Sequence, residues 1–370
     1  MTDPGLEFPA AGWAGRLALG LSRSWWEAAP LPLLKPLSQA YGWGAGLRRK
    51  LHSAFGLSER ASRPVISLGN LTVGGSGKTP LVLTLAAFLL EKGHRPAVLS
   101  RGYGRRPLRP APLVVSRGTG PLAGPAESGD EPWLMAADLP ALRVVVDKDR
   151  RRAARTAVTE LEADVLILDD GFQYLSLAAD CRILLAPGLR PFGNGAVLPA
   201  GPLREPLSAH RLAHILVSTG APDPAPALTA LAQGRPVFTA AHHPRGWRPL
   251  GGTELKPPEA LAGRPALAFC GLGRPDSFQR TLRQLGLDIR RFLALADHQA
   301  YDRRLLTGLG LAFTASGAKY MVTTAKDAVK LPPDWPWPVL VLQTELRLYE
   351  PQAFFQAVLK ALNLDRPLTL

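Results

Sequence analysis

Short apolar runs alternate with helical patterns along most of the chain, beginning at Pro64. Helical periodicity is clearest over residues 81–90 and 148–161. The apolar runs predict strands over residues 65–68, 97–100, 113–116, 144–146, 165–169, 183–186 and 214–218. Apolar strands separated by helices are typical of an α/β fold, with a mostly parallel sheet and helices on both faces. Ligands of such a sheet bind at the carboxyl ends of its strands.

A Pro- and Ala-rich stretch at residues 221–233 separates this series from a second one, and such composition is typical of a domain boundary. The second series of strand and helix patterns covers residues 237–240, 266–269, 278–287, 289–295, 305–316, 320–323, 339–342 and 352–362. We therefore predict a first domain over residues 63–232, a smaller C-terminal α/β domain over residues 233–370, and a separate segment over residues 1–62.

The N-terminal segment is dense in apolar, aromatic and basic side chains. Leu47, Leu51 and Phe55 recur at the spacing of one helix face, with the basic run 48–50 between them. The aromatic residues are Trp13, Trp25, Trp26, Tyr41 and Trp43. Such a helix either lies in a membrane surface or packs on the protein's own core, and the pattern alone favours neither. No apolar run is long enough to span a bilayer, and the chain lacks the basic start of a signal peptide, so a cytoplasmic location is expected.

The charge of the chain points to an anionic partner. With 44 Lys and Arg against 30 Asp and Glu, the net charge is +14, which suits nucleic acid, a membrane surface or a phosphorylated substrate. No nucleic-acid recognition motif accompanies the charge, so no nucleic-acid partner is expected. The two cysteines, Cys181 and Cys270, lie far apart and predict free thiols in a reducing compartment.

A glycine-rich stretch, SLGNLTVGGSGKTP at residues 67–80, joins the first predicted strand to a predicted helix. Its glycines allow backbone N–H groups to point at an anion, and the helix adds its positive end. Lys78 is placed to reach the β- and γ-phosphates of a nucleotide, and the Thr79 hydroxyl to bind Mg²⁺. The nucleotide-binding residues are expected to be Thr72, Val73, Gly74, Gly75, Ser76, Gly77, Lys78 and Thr79. The P-loop pattern has Gly where Thr72 stands, and the alternative is a tight turn without a ligand, which leaves Lys78 and Thr79 unexplained.

Two acidic pairs follow or precede predicted elements. Asp169 and Asp170 end an apolar strand, where P-loop proteins hold Mg²⁺, although Asp-Gly is also common in plain turns. Asp130 and Glu131 stand at the start of a helix predicted over residues 133–137. Asp130 is either the N-cap of this helix or, together with Glu131, a source of a base and a metal contact.

Other polar segments have a functional and a structural interpretation. Arg204 lies in a Pro-rich loop and is placed to stabilise charge on a transferring phosphoryl group, or serves only that loop. The segment 100–105 follows a strand and is expected at the ligand edge of the sheet. His298 follows Asp297, which is able to orient it, and residues 323–330 either cap a helix or contact an anion.

Taken together, these segments resemble the tetraacyldisaccharide 4′-kinase family, the lipid A 4′-kinases of Gram-negative bacteria. The matching motifs, in family order, are GNLTVGGSGKTP (69–80), SRGYGR (100–105), GDEP (129–132), DDGFQ (169–173), GPLREP (201–206), FCGLGRPDSF (269–278), ADHQAY (296–301) and TTAKDAVK (323–330). Thr72 fits the family, which carries Ser or Thr at that position. Two residues depart from it: Tyr174 stands where members usually have His, and Ala325 where they usually have Glu.

The resemblance implies ATP-dependent phosphorylation of the 4′-hydroxyl of tetraacyldisaccharide 1-phosphate, with Mg²⁺, by a P-loop kinase domain whose smaller C-terminal domain closes over the active site. Its implied residue roles are Lys78 and Thr79 on ATP and Mg²⁺, Asp169 as the Walker-B-type acid beside Asp170, Glu131 as a metal-side acid, Asp130 as the base paired with His298, Arg204 as a phosphate clamp, and Arg101, Tyr103 and Gln173 on the substrate. It also implies a peripheral, membrane-associated N-terminal helix at the cytoplasmic face of the inner membrane. A monomer is expected.

The alternative function is a P-loop NTPase that acts as a switch or chaperone, without a phosphoryl acceptor. The two functions differ in whether a base is placed to deprotonate a hydroxyl. Asp130 and His298 lying close to each other and to Lys78 would favour the kinase.

Overall fold

The protein is built around parallel strands. The computed structural model describes residues 31–364, apart from residues 75–76, 106–110, 189–190, 274, 297–298 and 333. The strands are β1 Val65–Asn70, β2 Pro96–Ser100, β3 Leu113–Arg117, β4 Arg143–Val146, β5 Val165–Leu168, β6 Cys181–Pro187, β7 Ile215–Thr219, β8 Val237–Pro249, β9 Pro265–Cys270, β10 Asp288–Ala294, β11 Tyr320–Thr324 and β12 Val339–Leu348.

Helices connect most of these strands. The α-helices are α1 Leu31–Ala54, α2 Lys78–Glu91, α3 Pro125–Ser128, α4 Asp130–Asp138, α5 Arg150–Thr159, α6 Pro226–Ala232, α7 Pro275–Gln284, α8 Arg303–Ser316, α9 Ala325–Ala328 and α10 Pro351–Ala361. Short 3₁₀ helices lie at Leu207–Leu212 and Pro258–Leu261. No helix in the described part of the chain is long and apolar enough to cross a membrane.

The chain divides into two compact units. Among the described residues, the larger unit contains residues 31–243 and 345–364, and the smaller unit residues 244–344. Strands β8 and β12 carry the chain from one unit to the other.

In the larger unit the strands follow the order β8-β7-β6-β1-β5-β2-β4-β3. The described pairings among them are parallel except that of β3 with β4, which is antiparallel and lies at the edge. The smaller unit has the order β10-β9-β11-β12, with parallel pairings throughout. The prediction of a mixed α/β fold with a mostly parallel sheet is confirmed, and the predicted strands correspond to observed ones with small shifts at their ends.

Alternate residues of β1 face opposite layers of helices. Ile66 packs in one apolar cluster with Leu85 of α2. Its neighbour Val65 packs in another with Ala157 of α5. Because both faces are covered, the strands have continuous apolar sequences rather than alternating ones. This packing fixes the carboxyl end of β1, where the glycine-rich loop begins.

The units do not coincide with the sequence-based ranges. The stretch 221–233 contains α6, whose Leu228 is completely buried against the larger unit's core. Helix α10 also belongs to the larger unit, because Phe354 and Val358 are buried in the cluster formed around α2. The boundaries at residues 62 and 232 stay predictions, and the aromatic residues before residue 31 lie outside the described residues.

Candidate active site

The glycine-rich loop connects β1 to α2, as predicted. Gly77 occupies the N-cap position of α2 with φ 79°, a left-handed conformation that favours glycine. A Cβ atom at Gly77 would also lie 2.9 Å from Nε2 of His242. The first turn of α2 contains no acidic residue, so the positive end of the helix is not neutralised by its own side chains. Gly75 and Ser76 lie outside the described residues.

Lys78 is held at the mouth of this loop by two oxygen atoms. Its Nζ lies 3.2 Å from Oδ1 of Asn70 and 3.4 Å from Oδ1 of Asp170. Asn70 is completely buried, and its amide nitrogen also donates to the carbonyl of Gly74 at 3.5 Å. Sequence reasoning gave Asn70 no role, although a buried amide at the end of an apolar strand is a polar group that requires partners.

Arg204 reaches the same point through a short backbone ladder. Its N–H donates to the carbonyl of Leu71 at 2.7 Å, and the N–H of Val73 donates to the carbonyl of Pro202 at 2.8 Å. Thr72 and Leu203 form the bridge between these two bonds. The loop 199–206 is thereby attached to the carboxyl end of β1, so the Arg204 side chain lies near the glycine-rich loop.

Asp170 is the acid that connects the two cations. Arg204 Nη1 donates to Oδ2 of Asp170 at 2.8 Å, while Oδ1 faces Lys78. Burial opposes its ionisation, but the charges of Lys78 and Arg204 outweigh that effect and keep the pKa of Asp170 below its ordinary value. Asp170 is therefore ionised at neutral pH.

The pKa of Asp169 is shifted in the opposite direction, upward. It is buried and accepts a hydrogen bond from Ser100 Oγ at 3.3 Å. Burial first, and then the negative charges of Glu131 and Asp170, raise the pKa of Asp169 to about 7. Glu131 therefore lies close enough to act on the carboxylate of Asp169.

The carboxylates of Asp169, Asp170 and Glu131 are oxygen ligands of the type that Mg²⁺ prefers. Within the described residues, no three acidic, His or Cys side chains converge closely enough to enclose a metal by themselves. Mg²⁺ usually takes one or two protein carboxylates together with substrate phosphates and water. The donor set beside the glycine-rich loop fits that mode of binding.

The acidic helix start lies against the loop 100–105. The N-cap of α4 is Gly129, with φ 88° and no side-chain cap, so the interpretation of Asp130 as the N-cap is wrong. A Cβ atom at Gly129 would lie 2.9 Å from the carbonyl oxygen of Tyr103, which is why only glycine allows the two backbones to approach so closely. Asp130 is the first residue of the helix.

The three residues assigned to the substrate are placed differently. Tyr103 is 67% exposed, and Arg101 is also exposed. Gln173 instead donates from Nε2 to the carbonyl of Asn70 at 2.8 Å, so its amide supports the exit of β1.

Arg150 is a further charged residue of this region that sequence reasoning missed. It is only 6% exposed, and its guanidinium lies 5.0 Å from the ring centroid of Tyr174. Burial and the charge of Arg101 lower the pKa of Arg150, whereas Asp169 and Asp170 act in the opposite direction. Tyr174, one of the two departures from the family pattern, also donates to Asp149 Oδ1 at 2.8 Å and so supports the start of α5. The only indication of Arg150 in the sequence was the run of arginines at the start of α5.

The smaller unit contains a network around the carboxylate of Asp327. Thr324 accepts from the N–H of Asp327 and caps α9, which confirms one of the two alternatives for residues 323–330. Ala325, the second departure, is the first residue of α9 and packs at the edge of the apolar core. Asp297 and His298 lie outside the described residues, so the pairing of Asp130 with His298 stays a prediction.

Known proteins resemble this chain over most of its length. The family model for tetraacyldisaccharide-1-P 4′-kinase, LpxK, matches residues 30–363. The chain belongs to the tetraacyldisaccharide 4′-kinase family. The described motif residues, from the glycine-rich loop to the Asp327 segment, lie within the matched range.

Individual members show the same relationship over most of their length. The chain is 45% identical to tetraacyldisaccharide 4′-kinase of Pelobacter propionicus over 316 residues, covering 85% of this chain and 87% of the relative. It is 39% identical to the protein of the same name from Syntrophus aciditrophicus over 348 residues, covering 90% and 93%. A crystal structure of LpxK from Aquifex aeolicus, described as an "apo" form in complex with ATP, is 32% identical, with a TM-score of 0.73, and covers 90% of this chain and 100% of that one.

Proposed function

We propose that the protein transfers the γ-phosphoryl group of ATP to the 4′-hydroxyl of tetraacyldisaccharide 1-phosphate, giving lipid IVA. The observation that carries this proposal is the meeting of Lys78, Asp170 and Arg204 beside the glycine-rich loop. Family membership and the likeness to an ATP complex support it.

Lys78 and Arg204 supply the positive charge that a transferred phosphoryl group needs. Both are held by Asp170, so the fold itself fixes their positions and little reorganisation is needed when phosphate oxygens approach. Fixed charges of this kind stabilise a transition state more than mobile ones, because the reorganisation has already been made during folding.

Asp130 is the proposed general base. As the bond between the 4′-oxygen and the γ-phosphorus forms, the hydroxyl proton passes to the Asp130 carboxylate, and the bond from the γ-phosphorus to the β-bridging oxygen breaks to release ADP. Gly129 serves as the helix N-cap, so capping does not require the Asp130 side chain. His298 is proposed to act with Asp130, a pairing that rests on the family resemblance.

Asp169, Asp170, Glu131 and the Thr79 hydroxyl are the residues proposed to hold Mg²⁺. When bound, the ion neutralises charge on the β- and γ-phosphates. Asp169 lies beside two other negative groups and has a raised pKa, which are conditions that a nearby cation would relieve.

An exposed apolar stripe on α1 is proposed to rest on the cytoplasmic face of the inner membrane, where an acylated substrate resides. Its side chains, 40–74% exposed, are Leu37, Trp43, Leu47 and Leu51, followed by Phe55 directly after the helix. Lys50 flanks the stripe and suits anionic lipid headgroups. Arg101 and Tyr103 are proposed to contact the disaccharide.

Acceptor dependence tests the proposed function. The purified protein, supplied with ATP and Mg²⁺ in detergent micelles, should form ADP in equal amount to phosphorylated lipid, and only slowly without lipid. ADP release that is fast and independent of tetraacyldisaccharide 1-phosphate would instead support the switch-like NTPase.

A further inference from the structure

Helix α1 has a docked face opposite its exposed stripe. Ser38, Gly42 and Arg49 recur at the four- and seven-residue spacing of one helix face. Ser38 Oγ donates to the carbonyl of Val197 at 2.7 Å, and Arg49 Nη1 contacts the carbonyl of Ala209 at 3.5 Å. The helix therefore contacts the chain on both sides of the loop 199–206, which carries Arg204.

Two contacts reach the Arg204 loop itself. The hydroxyl of Tyr41 donates to the backbone carbonyl of Arg204 at 3.0 Å. Arg49 also forms an ion pair with Glu205, whose side chain is 7% exposed. Breaking such a pair leaves a charge in a poorly hydrated position, so the contact fixes the loop more firmly than an exposed ion pair does.

The burial of this pair is visible in the ionisation of Arg49. Burial, followed by the charges of Arg182 and Arg48, lowers the pKa of Arg49 to about 10. The arginine remains charged at neutral pH, and Glu205 is the acid to which it is paired. The pair is thus a fixed electrostatic contact between α1 and the loop.

From the loop 199–206 the contacts continue to Lys78 at the end of the glycine-rich loop. The Arg204 N–H is bonded to Leu71, its guanidinium to Asp170, and Asp170 faces Lys78. Arg48 adds a second link, because its Nη2 donates to the carbonyl of Gln173 at 3.1 Å, close to the two strand-terminal acids. A continuous series of bonded groups therefore joins α1 to Lys78.

We propose that Arg49 and Tyr41 are positioning residues, through which α1 holds the Arg204 clamp in its catalytic place. The inference rests on the proposed kinase function. It assigns α1 a role in turnover that is separate from attachment to a membrane. The helix that meets the bilayer would thereby align the group that stabilises the transferred phosphoryl.

The test compares Arg49→Met with a matched control, Arg155→Met, which removes the exposed ion pair to Glu59 at 2.7 Å. Arg49→Met should lower kcat by about tenfold or more, since small displacements of a catalytic group are costly. The KM for ATP and flotation with vesicles of anionic phospholipid should stay within about twofold of the wild type. Arg155→Met should change none of these.

A readout besides activity separates this proposal from the proposed function. Amide hydrogen exchange of residues 199–206 should be faster in Arg49→Met, because the loop loses its anchor, and unchanged in Arg155→Met. If the wild type transfers no phosphate and Arg49→Met still exchanges the amides of residues 199–206 faster than the wild type, the kinase function is refuted but the positioning of this loop by α1 is kept. If Arg49→Met fails to fold, Tyr41→Phe, which removes only a hydroxyl, replaces it in the test. This variant should show a smaller loss of kcat and a smaller increase in the exchange of residues 199–206.

Three results would overturn the proposal. One is normal kcat in folded Arg49→Met. Another is unchanged exchange of the loop. The third is a loss of turnover matched by an equal loss of vesicle flotation, which would make α1 an anchor only.

Discussion

At the scale of single residues, the adjacent acids after β5 differ in ionisation because their neighbours differ. Asp170 faces Lys78 and Arg204, whereas Asp169 is buried beside Glu131. The sequence predicts that both acids end a strand, but it does not show which one meets the cations. That distinction depends on contacts between residues far apart in the chain. The same reason explains why Asn70 and Arg150 were missed.

The first prediction follows from the raised pKa of Asp169. Its pKa of about 7 in the folded protein exceeds the ordinary value of 3.8, so the folded state binds the proton more tightly. Ionisation of the buried Asp169 therefore lowers the free energy of unfolding. This destabilisation is absent below about pH 4, grows as the pH rises, and is complete above about pH 7. Asp169→Asn removes it. We expect this variant to melt at a higher temperature than the wild type at pH 8, without Mg²⁺ or nucleotide, and with a smaller difference at pH 5.

Glu160→Gln, a change of an acid whose side chain is 54% exposed, serves as the control and should show little pH-dependent difference. A rise in the melting temperature of Asp169→Asn that is equal at pH 5 and pH 8 would contradict a raised pKa of Asp169.

The second prediction concerns the proposed base. Asp130→Ala and His298→Ala should each lower kcat strongly and leave the affinity for ATP nearly unchanged. If the two act as a unit, the double variant should be little slower than the slower single variant. Steady-state kinetics of all three variants measure this. The pairing would be refuted if the reduction of kcat in the double variant equals the product of the two single reductions. Normal turnover in Asp130→Ala would also refute it.

At the scale of elements, the glycine-rich loop between β1 and α2 was predictable, because glycine, lysine and threonine stand between two clear periodic patterns. The length of β8 was not. Only residues 237–240 show the apolar pattern, whereas the strand continues to Pro249, through His242, His243 and Arg245. Strand pairing rather than side-chain pattern determines that continuation.

The third prediction tests how β9, β11 and the segment after β10 are joined. The completely buried carboxylate of Asp327 accepts from Gly271 N–H at 2.9 Å, Tyr301 Oη at 3.0 Å and Thr324 Oγ1 at 2.7 Å. Asp327→Ala should lower the free energy of unfolding by about 3–5 kcal/mol, because Lys330 also loses its ion-pair partner.

Asp288→Ala, which breaks an exposed pair with Arg290, is the control and should change the unfolding free energy by no more than about 0.5 kcal/mol. Urea denaturation measures both. Equal effects of the two substitutions would show that the Asp327 network contributes little.

At the scale of the whole molecule, the parallel architecture followed from the sequence, but the division into units did not. The apolar face of α10 was visible in the sequence, yet nothing in its pattern indicated that it returns to the core around α2. Likewise, the apolar stripe on α1 had two interpretations. The structure leaves that stripe exposed while the opposite face is docked, an arrangement that favours the membrane-surface proposal.

The fourth prediction concerns that stripe. Trp43 and Phe55 are 74% and 70% exposed, so replacing both with Ser should lower partitioning onto anionic vesicles by about tenfold or more, since each loses apolar area that lipid would cover. Leu311→Ser, at a 60% exposed position of α8, is the control. Unchanged flotation of the double variant would mean that the membrane contact lies elsewhere. Substitution is preferable to deleting residues 1–62, because α1 also contacts the Arg204 loop.

The most direct test of the central claim is a single-turnover measurement of phosphoryl transfer from ATP to tetraacyldisaccharide 1-phosphate, with the wild type and Lys78→Ala side by side. The wild type should place a new phosphate on the 4′-oxygen, and Lys78→Ala should be slower by about 10²–10³-fold, because the charge beside the β- and γ-phosphates is lost. Lys92→Ala, at the other end of α2, should retain the wild-type rate. A near-normal rate in folded Lys78→Ala, or ADP formation without phosphorylated lipid in the wild type, would contradict the account.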